Sequence, residues 1–553
     1  MNQVDRQPGR LAKVLFAFVA GSLLAAFVTP AVAAPETDRS RMSQQEIDRL
    51  IERLGDESYD VREAAQRQLA AVGFDAYEAL EAATGHEDLE IATRAKYLLQ
   101  LIRVWWTQDS DPPEVRDLLK DYEFQPGEER LERIRRLGGL PGMQGIGPLC
   151  RLVRFEGSEL FSKYAALEIL DRRPADEAGR ELWAATLKQN LPRASRPAAR
   201  WVYCYLKLQQ QPREAVDEWA QLVQAEQALA GRLQPATSIG LVAALLYCLA
   251  EAQADQGQEA EAENTATRAR ALIPGADLAS AYAHWENALR LQRRGRFRWA
   301  EAEYRRTIES EVPEFQVRGR IVLAEMKHDQ GDHLGAGQVL EETLQGPPQP
   351  LQIILARMEQ SPASLRARAE YFYACHWEEQ GDRQKQRVHL DKAIESDPAE
   401  LDTLIALYKL ADVDPEHRRK TLELIAKAAA ALRRGVEAVP DDPTDYNQFA
   451  WLVGNTEGDA EEALRCARKA VELSPTSGAY HDTLAHVYFG RGDYRGAVEH
   501  QERAAELEPH SGLIAKQLKL FRQKLAESKG GESEPSPAER HPGPAEQPPQ
   551  SEP

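Results

Sequence analysis

The chain has 553 residues, of which 42 % are apolar and 28 % are charged, and its formal net charge is −19 at pH 7. This apolar content is ordinary for a folded protein, and the length allows several domains or one extended repeat array. The strong negative charge argues against nucleic acid or anionic lipid as a partner.

Residues 1–33 have the three-part pattern of a secretory signal. Three basic residues precede an apolar run over residues 14–28, and the small residues Ala31 and Ala33 follow it. The run is shorter than the roughly 20 apolar residues of a membrane-spanning helix. We therefore expect cleavage before Ala34, localisation in the periplasm, the cell envelope or the medium, and no membrane insertion after signal removal. A retained signal anchor is the alternative.

Residues 43–175 are predicted to form a first set of helical hairpins. Ser43 and Glu46 have the spacing of a capping box, and apolar stripes at helical spacing follow them. The string Asp-Val-Arg-Glu-Ala-Ala over residues 60–65 resembles HEAT-type repeats. The resemblance implies a solenoid of stacked hairpins, and a similar pattern over 161–170 extends it towards residue 175.

From residue 243 onward, a glycine that ends one helix is followed 17 residues later by a proline that ends the next. The pairs are Gly257/Pro274, Gly331/Pro348, Gly381/Pro398, Gly458/Pro475 and Gly492/Pro509. In four of them an aspartate follows the glycine. Glycine can adopt the left-handed conformation that ends a helix, aspartate can cap the next helix, and proline stops it. The spacing therefore predicts helical hairpins.

Small and aromatic residues lie between these marks. Over residues 478–511 they are Leu484, Ala485, Tyr488, Gly492, Ala497, Ala504 and Pro509, a pattern that resembles the tetratricopeptide (TPR) repeat. Two repeats over 444–511 carry the resemblance best, and TPR-like units over 243–400 carry it less completely. Residues 401–443 are predicted to be irregular helices, and residues 176–242 to be helical and TPR-like without the glycine mark.

Together these patterns predict an all-α chain, namely an α-solenoid of stacked helical hairpins that is first HEAT-like and then TPR-like. A terminal capping helix is expected over residues 512–527. Residues 528–553 contain seven prolines and no large apolar residue. They cannot bury a core, and a disordered Pro/Glu-rich tail is predicted there.

The sequence contains no recognisable pattern of a catalytic or metal site. The twelve histidines are scattered without an H-E-x-x-H motif, and no two of the five cysteines form a C-x-x-C pair. A phosphate-binding glycine loop and a nucleophile elbow are also missing. Capping and the helix dipole explain the cluster His86-Glu87-Asp88. We expect no cofactor, no metal and no enzymatic activity.

The TPR resemblance implies a protein-binding concave face made by the first helix of each hairpin. By helical register, this face carries Tyr247, Glu251, Trp285, Arg293, Glu325, Tyr371, Glu378, Asn447, Trp451, Asp482, His486 and Phe489. Aromatic anchors beside fixed charges suit a groove that binds proteins or peptides. The Lys- and Asn-based clamp that some TPR domains use for C-terminal carboxylates is not evident at these positions.

The leading interpretation is an exported scaffold or adaptor of the cell envelope that binds other proteins or peptides. Two alternatives stay open at this point. One is a self-assembling structural component of the envelope, since self-association is possible for a solenoid. The other is an enzyme whose active site has no recognisable motif.

Overall fold

A computed structural model describes residues 42–530 except 103, 105, 141, 175–176, 192–195, 231–235, 347, 359 and 411–413. The expected signal over 1–33 lies outside the described residues, and so does the expected tail apart from residues 528–530. The described residues form 27 α-helices, three short 3₁₀ helices and no β-strand, which confirms the all-α prediction. None of the helices in these ranges has the length and apolar character that crossing a membrane requires.

The chain divides into two compact units. The first comprises the residues up to Asn287 together with Ser310–Pro313 and Gln349–Ser361. The second comprises Ala288–Glu309, Glu314–Pro348 and the residues from Pro362 onward.

The first unit is built from helices that pack against their neighbours in sequence, as in α7 with α8, α10 with α11 and α12 with α13. Its helices are α1 Gln44–Glu52, α2 Tyr59–Val72, α3 Tyr77–Ala83, α4 Leu89–Leu101, α5 Pro113–Leu119, α6 Gly127–Gly139, α7 Ile146–Phe155, α8 Glu159–Asp171, α9 Glu177–Asn190, α10 Pro197–Gln210, α11 Pro212–Ala230, α12 Ile239–Asp255 and α13 Glu259–Ala271. The predicted capping box opens α1, where the Glu46 side chain accepts a hydrogen bond from the Ser43 amide at 2.8 Å.

Helix α12 is buried on all sides, since every residue from Leu241 to Ala252 is buried. A helix with apolar residues around its whole circumference is covered on every face. In this stretch Glu251 is the one charged residue.

The second unit continues the hairpin pattern. After α14 Leu278–Arg293, which begins in the first unit, the helices are α15 Phe297–Ile308, α16 Pro313–Asp329, α17 His333–Leu344, α18 Pro348–Arg357, α19 Pro362–Glu379, α20 Arg383–Ser396, α21 Leu401–Lys409, α22 Pro415–Ala438, α23 Pro443–Asn455, α24 Ala460–Leu473, α25 Gly478–Gly490, α26 Tyr494–Leu507 and α27 Gly512–Gly530. Helix α18 was not predicted, and nearly all of it belongs to the first unit.

The predicted turn marks have the expected conformations. Gly331, Gly381 and Gly492 have φ values of 84°, 72° and 79°, in the left-handed region. The aspartate that follows each of them caps the next helix, because its side chain accepts a hydrogen bond from a backbone amide in the first turn of α17, α20 or α26. The turn at Gly458 differs, with a φ of 156°.

The last hairpin, α25 with α26, is covered by α27. The predicted small residues Ala485 and Ala497 are fully buried and share a core with Phe521 of α27. This helix ends at Gly530 rather than at residue 527. None of the five cysteines, all of which lie in the described ranges, forms a disulfide; Cys375 and Cys466 are half-buried and the other three are buried.

Candidate functional site

A cavity of about 1,730 Å³ lies within the second unit. Side chains from α16, α19, α21, α23 and α25 line it, together with the end of α14, the starts of α15, α17, α20 and α27, and the end of α26. On a helix, residues three or four apart share one face, so each of these helices presents a short row of side chains to the same space. The cavity is therefore the concave surface of the repeat array in this unit.

An arginine that bonds to three carboxylates lies at the centre of one wall of the cavity. Arg368 on α19 donates from Nε and Nη2 to the two carboxylate oxygens of Glu325, each at 3.0 Å. Its Nη1 donates to Glu400 at 3.3 Å and also to Asp402. One guanidinium thus ties together helices of three successive hairpins.

The pKa shifts in this cluster follow from burial and from the shared arginine. Burial alone would lower the pKa of Arg368, but Glu325 and Asp402 raise it well above its ordinary value. Burial alone would raise the pKa of Asp402, but the positive charge of Arg368 outweighs the effect of burial, and the pKa of Asp402 is lowered. Burial and the neighbouring Asp402 raise the pKa of Glu400. The network fixes the wall by ion pairing.

Two histidines lie beside this network. The His328 ring stacks on Phe372 with 4.4 Å between ring centroids, and its Nδ1 lies 2.9 Å from Nδ1 of His333. One of the two nitrogens must donate and the other accept. The ring whose Nδ1 accepts carries no proton on that nitrogen and is therefore uncharged. Burial, with the charges of Arg368 and His333, lowers the pKa of His328 to about 3. His328 is therefore uncharged at neutral pH.

Trp451 on α23 links the wall to the next hairpin. Its indole Nε1 donates to Asp402 at 2.7 Å, and its ring meets the edge of His486 at 5.0 Å between centroids. Asn447, one turn earlier on the same helix, has a buried amide oxygen that accepts no hydrogen bond from the described residues. This part of the cavity combines an oriented aromatic ring with an available polar acceptor.

Eight of the twelve side chains assigned to the concave face line this cavity: Arg293, Glu325, Tyr371, Glu378, Asn447, Trp451, Asp482 and His486. Phe489 does not, because its ring stacks on Phe521 of α27 at 4.4 Å. Trp285 is half-buried in the first unit and does not line the cavity.

Tyr247 and Glu251 require a correction. Their side chains are buried in the first unit, with 3 % and 6 % exposure, and neither lies on an open face. The reason is the burial of α12 on all sides, which leaves it no solvent-exposed first-helix surface. The sequence signal was the almost unbroken apolar character of residues 239–252.

Sequence reasoning missed the residues that organise the wall, namely Arg368, Asp402 and His328. Arg368 lies three positions before Tyr371 on the same helix face, so register could have included it. Asp402 falls in a stretch interpreted as irregular. Within the described ranges, no three His, Cys, Asp or Glu side chains are placed to hold a metal ion.

Comparison with curated proteins gives a match over a short segment of the chain. The Small glutamine-rich tetratricopeptide repeat-containing protein 2 of Mycosarcoma maydis is 25 % identical over 113 residues, which is 20 % of this chain and 32 % of that protein. The match thus spans about a third of the relative's length. No family model matches the chain.

The chain is a helical-repeat protein of the tetratricopeptide type. Among solved structures, it is similar to the TPR2AB domain of yeast Sti1 in a pHSP90 complex, at 15 % identity over 45 % of this chain and 99 % of that one, with a TM-score of 0.18. Yeast Tom70 is 15 % identical over 84 % of this chain and 90 % of that one, with a TM-score of 0.24. A human IFIT1 dimer with PPP-AAAA is 18 % identical over 57 % of this chain and 70 % of that one, with a TM-score of 0.28. The tetratricopeptide assignment rests on the repeat geometry and the curated relative.

Proposed function

We propose that the tetratricopeptide array of the second unit binds an extended segment of another protein in its cavity. The observation that carries the proposal is the convergence of eight first-helix side chains on one space of about 1,730 Å³. Small-molecule pockets are usually about 300–1,000 Å³, so this volume suits a polypeptide segment better. Tetratricopeptide repeats mediate protein–protein interactions, and concave solenoid faces are their usual binding surfaces.

The chemistry of the lining supports a polypeptide ligand. Trp451 offers a half-buried aromatic face whose orientation is set by its hydrogen bond to Asp402. The amide oxygen of Asn447 can accept a hydrogen bond from a polypeptide N–H. An aromatic anchor beside a buried polar group is the usual composition of a binding hot spot. The proposal needs no catalytic step, and Arg368 and its carboxylates serve to hold the wall.

Site-specific photo-crosslinking tests the location of binding. A benzoylphenylalanine probe is placed at Asn447, which lines the cavity, and in a matched variant at Gln448, the exposed neighbour on the same helix that does not line it. After irradiation of cells that produce the protein, adducts are isolated and identified by mass spectrometry. We expect one dominant protein adduct from position 447 and little of it from position 448.

Equal yields at the two positions, or no adduct at 447 in a variant with wild-type thermal stability, would contradict cavity binding. An adduct containing two copies of this chain would instead favour the self-assembling component. Light scattering on the purified protein then separates the two cases, since a monodisperse monomer or dimer is incompatible with extended assembly.

We further propose that the protein is an exported scaffold or adaptor of the cell envelope. The support is the sequence of residues 1–33, with basic residues, a short apolar run and the small residues Ala31 and Ala33. The test is the mass of the purified chain and the sequence of its N-terminus after cell fractionation. We expect a chain that begins at Ala34 in the envelope or periplasmic fraction, and an uncut chain in the cytosol would refute export.

A further inference from the structure

The end of α16 contacts the start of α27, although the two are far apart in sequence. Asp329 Oδ1 accepts a hydrogen bond from Ser511 Oγ at 2.6 Å, across 182 residues. Its Oδ2 accepts from the amide of Gly512 at 3.1 Å, and Oδ1 also lies 3.4 Å from the amide of Leu513. A carboxylate of α16 therefore caps the N-terminus of α27, where the helix dipole favours negative charge.

A second contact lies next to the first. Gln330 donates from Nε2 to the carbonyl oxygen of His510 at 3.3 Å. The His510 ring covers Gly295, where an added Cβ would lie 2.7 Å from Nδ1. We refer to Asp329, Gln330, His510, Ser511 and Gly512 as the clasp.

The clasp joins hairpins that are not neighbours in the array. The hairpins α19/α20, α21/α22, α23/α24 and α25/α26 lie between its two sides along the chain. Asp329, His510 and Ser511 also line the cavity. The clasp is thus the place where the end of α16 and the start of α27, two parts of the cavity wall, meet within the second unit.

The clasp is polar, while the attachment of α27 to its own hairpin is apolar. His510 and Gly512 are exposed, and Asp329 and Ser511 are half-buried. By contrast, Phe521 of α27 is 1 % exposed and packs with Ala485 and Ala497. Partly exposed polar contacts contribute little net stability because water can replace them. The clasp can therefore separate without exposing the apolar core beneath α27.

We propose that the clasp is a reversible closure of the cavity wall, and that its opening moves the start of α27 away from α16 and widens the entrance. Asp329 is the residue on which closure depends, since it accepts hydrogen bonds from both Ser511 and Gly512. The proposal concerns the conformation of the second unit in the absence of any ligand. Its test can therefore fail or succeed independently of whether the cavity binds a polypeptide.

Spin-label distances measure the closure directly. Labels are attached at Gln338→Cys on α17 and Lys519→Cys on α27, both exposed positions outside the clasp, in the full chain with Cys375 and Cys466 replaced by alanine. The Asp329→Ala variant is compared with Asp332→Ala. The second change removes a similar capping carboxylate three residues later, but Asp332 accepts its hydrogen bonds from Gly335 of α17 and Lys327 of α16 rather than from α27.

We expect Asp329→Ala to raise the population of longer inter-label distances by at least about threefold, and Asp332→Ala to leave the distribution unchanged. Hydrogen exchange of the amides around Phe521 is measured on the same samples and should stay as slow as in the parent chain. An unchanged distance distribution in Asp329→Ala would overturn the proposal. Loss of protection around Phe521 would also overturn it, because Asp329 would then only stabilise the fold of α27.

Discussion

Replacing Arg368 with alanine should destabilise the second unit by about 3 kcal/mol. The change removes four hydrogen bonds and leaves Glu325, Glu400 and Asp402 together without their cation. Breaking a buried ion pair by removing one partner costs about 3–5 kcal/mol. The Arg368 side chain is 26 % exposed, which places the expected loss at the lower end of that range.

Urea unfolding provides the assay, with hydrogen exchange of peptides from α19 and α21 reporting the second unit specifically. The control is Arg419→Ala, which removes an ion pair to Glu423 whose two side chains are 63 % and 62 % exposed. Such surface pairs contribute about 0–1 kcal/mol. If Arg368→Ala cost no more than Arg419→Ala, the assignment of Arg368 as the organiser of the wall would be wrong.

The effect of this substitution should also depend on pH. Arg368 lowers the pKa of Asp402 in the folded protein, so its contribution is present above the ordinary aspartate pKa of about 3.9 and is lost as the pH falls through the folded value. The difference in unfolding free energy between the parent chain and Arg368→Ala should therefore shrink below about pH 4. A constant difference between neutral pH and the acid limit of folding would contradict this.

Three further predictions concern the last repeat. Gly492→Ala should cost about 1 kcal/mol in urea unfolding, from the backbone alone, because φ is 79° and an added Cβ would meet no atom within 4 Å; a cost near zero would exclude backbone strain. Phe521→Ala should cost about 3–5 kcal/mol and loosen α27, whereas the exposed neighbour Leu520, replaced in the same way, should cost less than about 0.5 kcal/mol. Burial lowers the pKa of both His481 and His500, whose Nδ1 atoms lie 3.2 Å apart, so the unfolded chain binds more protons and stability should fall below about pH 6.5. Replacing both histidines with phenylalanine should reduce the slope of melting temperature against pH. An unchanged slope would mean that other groups cause the pH dependence.

The hairpins of the second unit were predictable because each turn needs local chemistry that the sequence displays. Left-handed glycine at Gly331, Gly381 and Gly492 and the capping aspartate after each are properties of a few consecutive residues. Helix α18 shows the limit of such signals. Pro348 is the mark expected to end a hairpin, but it begins a further helix, since proline is favoured in a first helical turn as well as after a last one.

Register predicted cavity residues in the second unit and failed in the first for one physical reason. A first helix presents a binding face only where part of its circumference is left uncovered. Helices α19 and α23 place polar and charged side chains such as Arg368 and Asn447 on that face, while α12 has almost none. The apolar run from Leu241 to Ala252 therefore predicted burial, and position within a repeat was the weaker guide.

The ion pairs of the wall have a sequence signature that single-helix register does not contain. In a stacked repeat array, side chains on equivalent faces meet across neighbouring repeats, so partners lie about one repeat apart in sequence. Arg368 and Asp402 are 34 residues apart, which is one repeat. Arg368 and Glu325 are 43 residues apart, because the ten-residue helix α18 is inserted between their hairpins. Opposite charges about one repeat apart on first helices are therefore the sequence pattern that indicates Arg368 and its carboxylates.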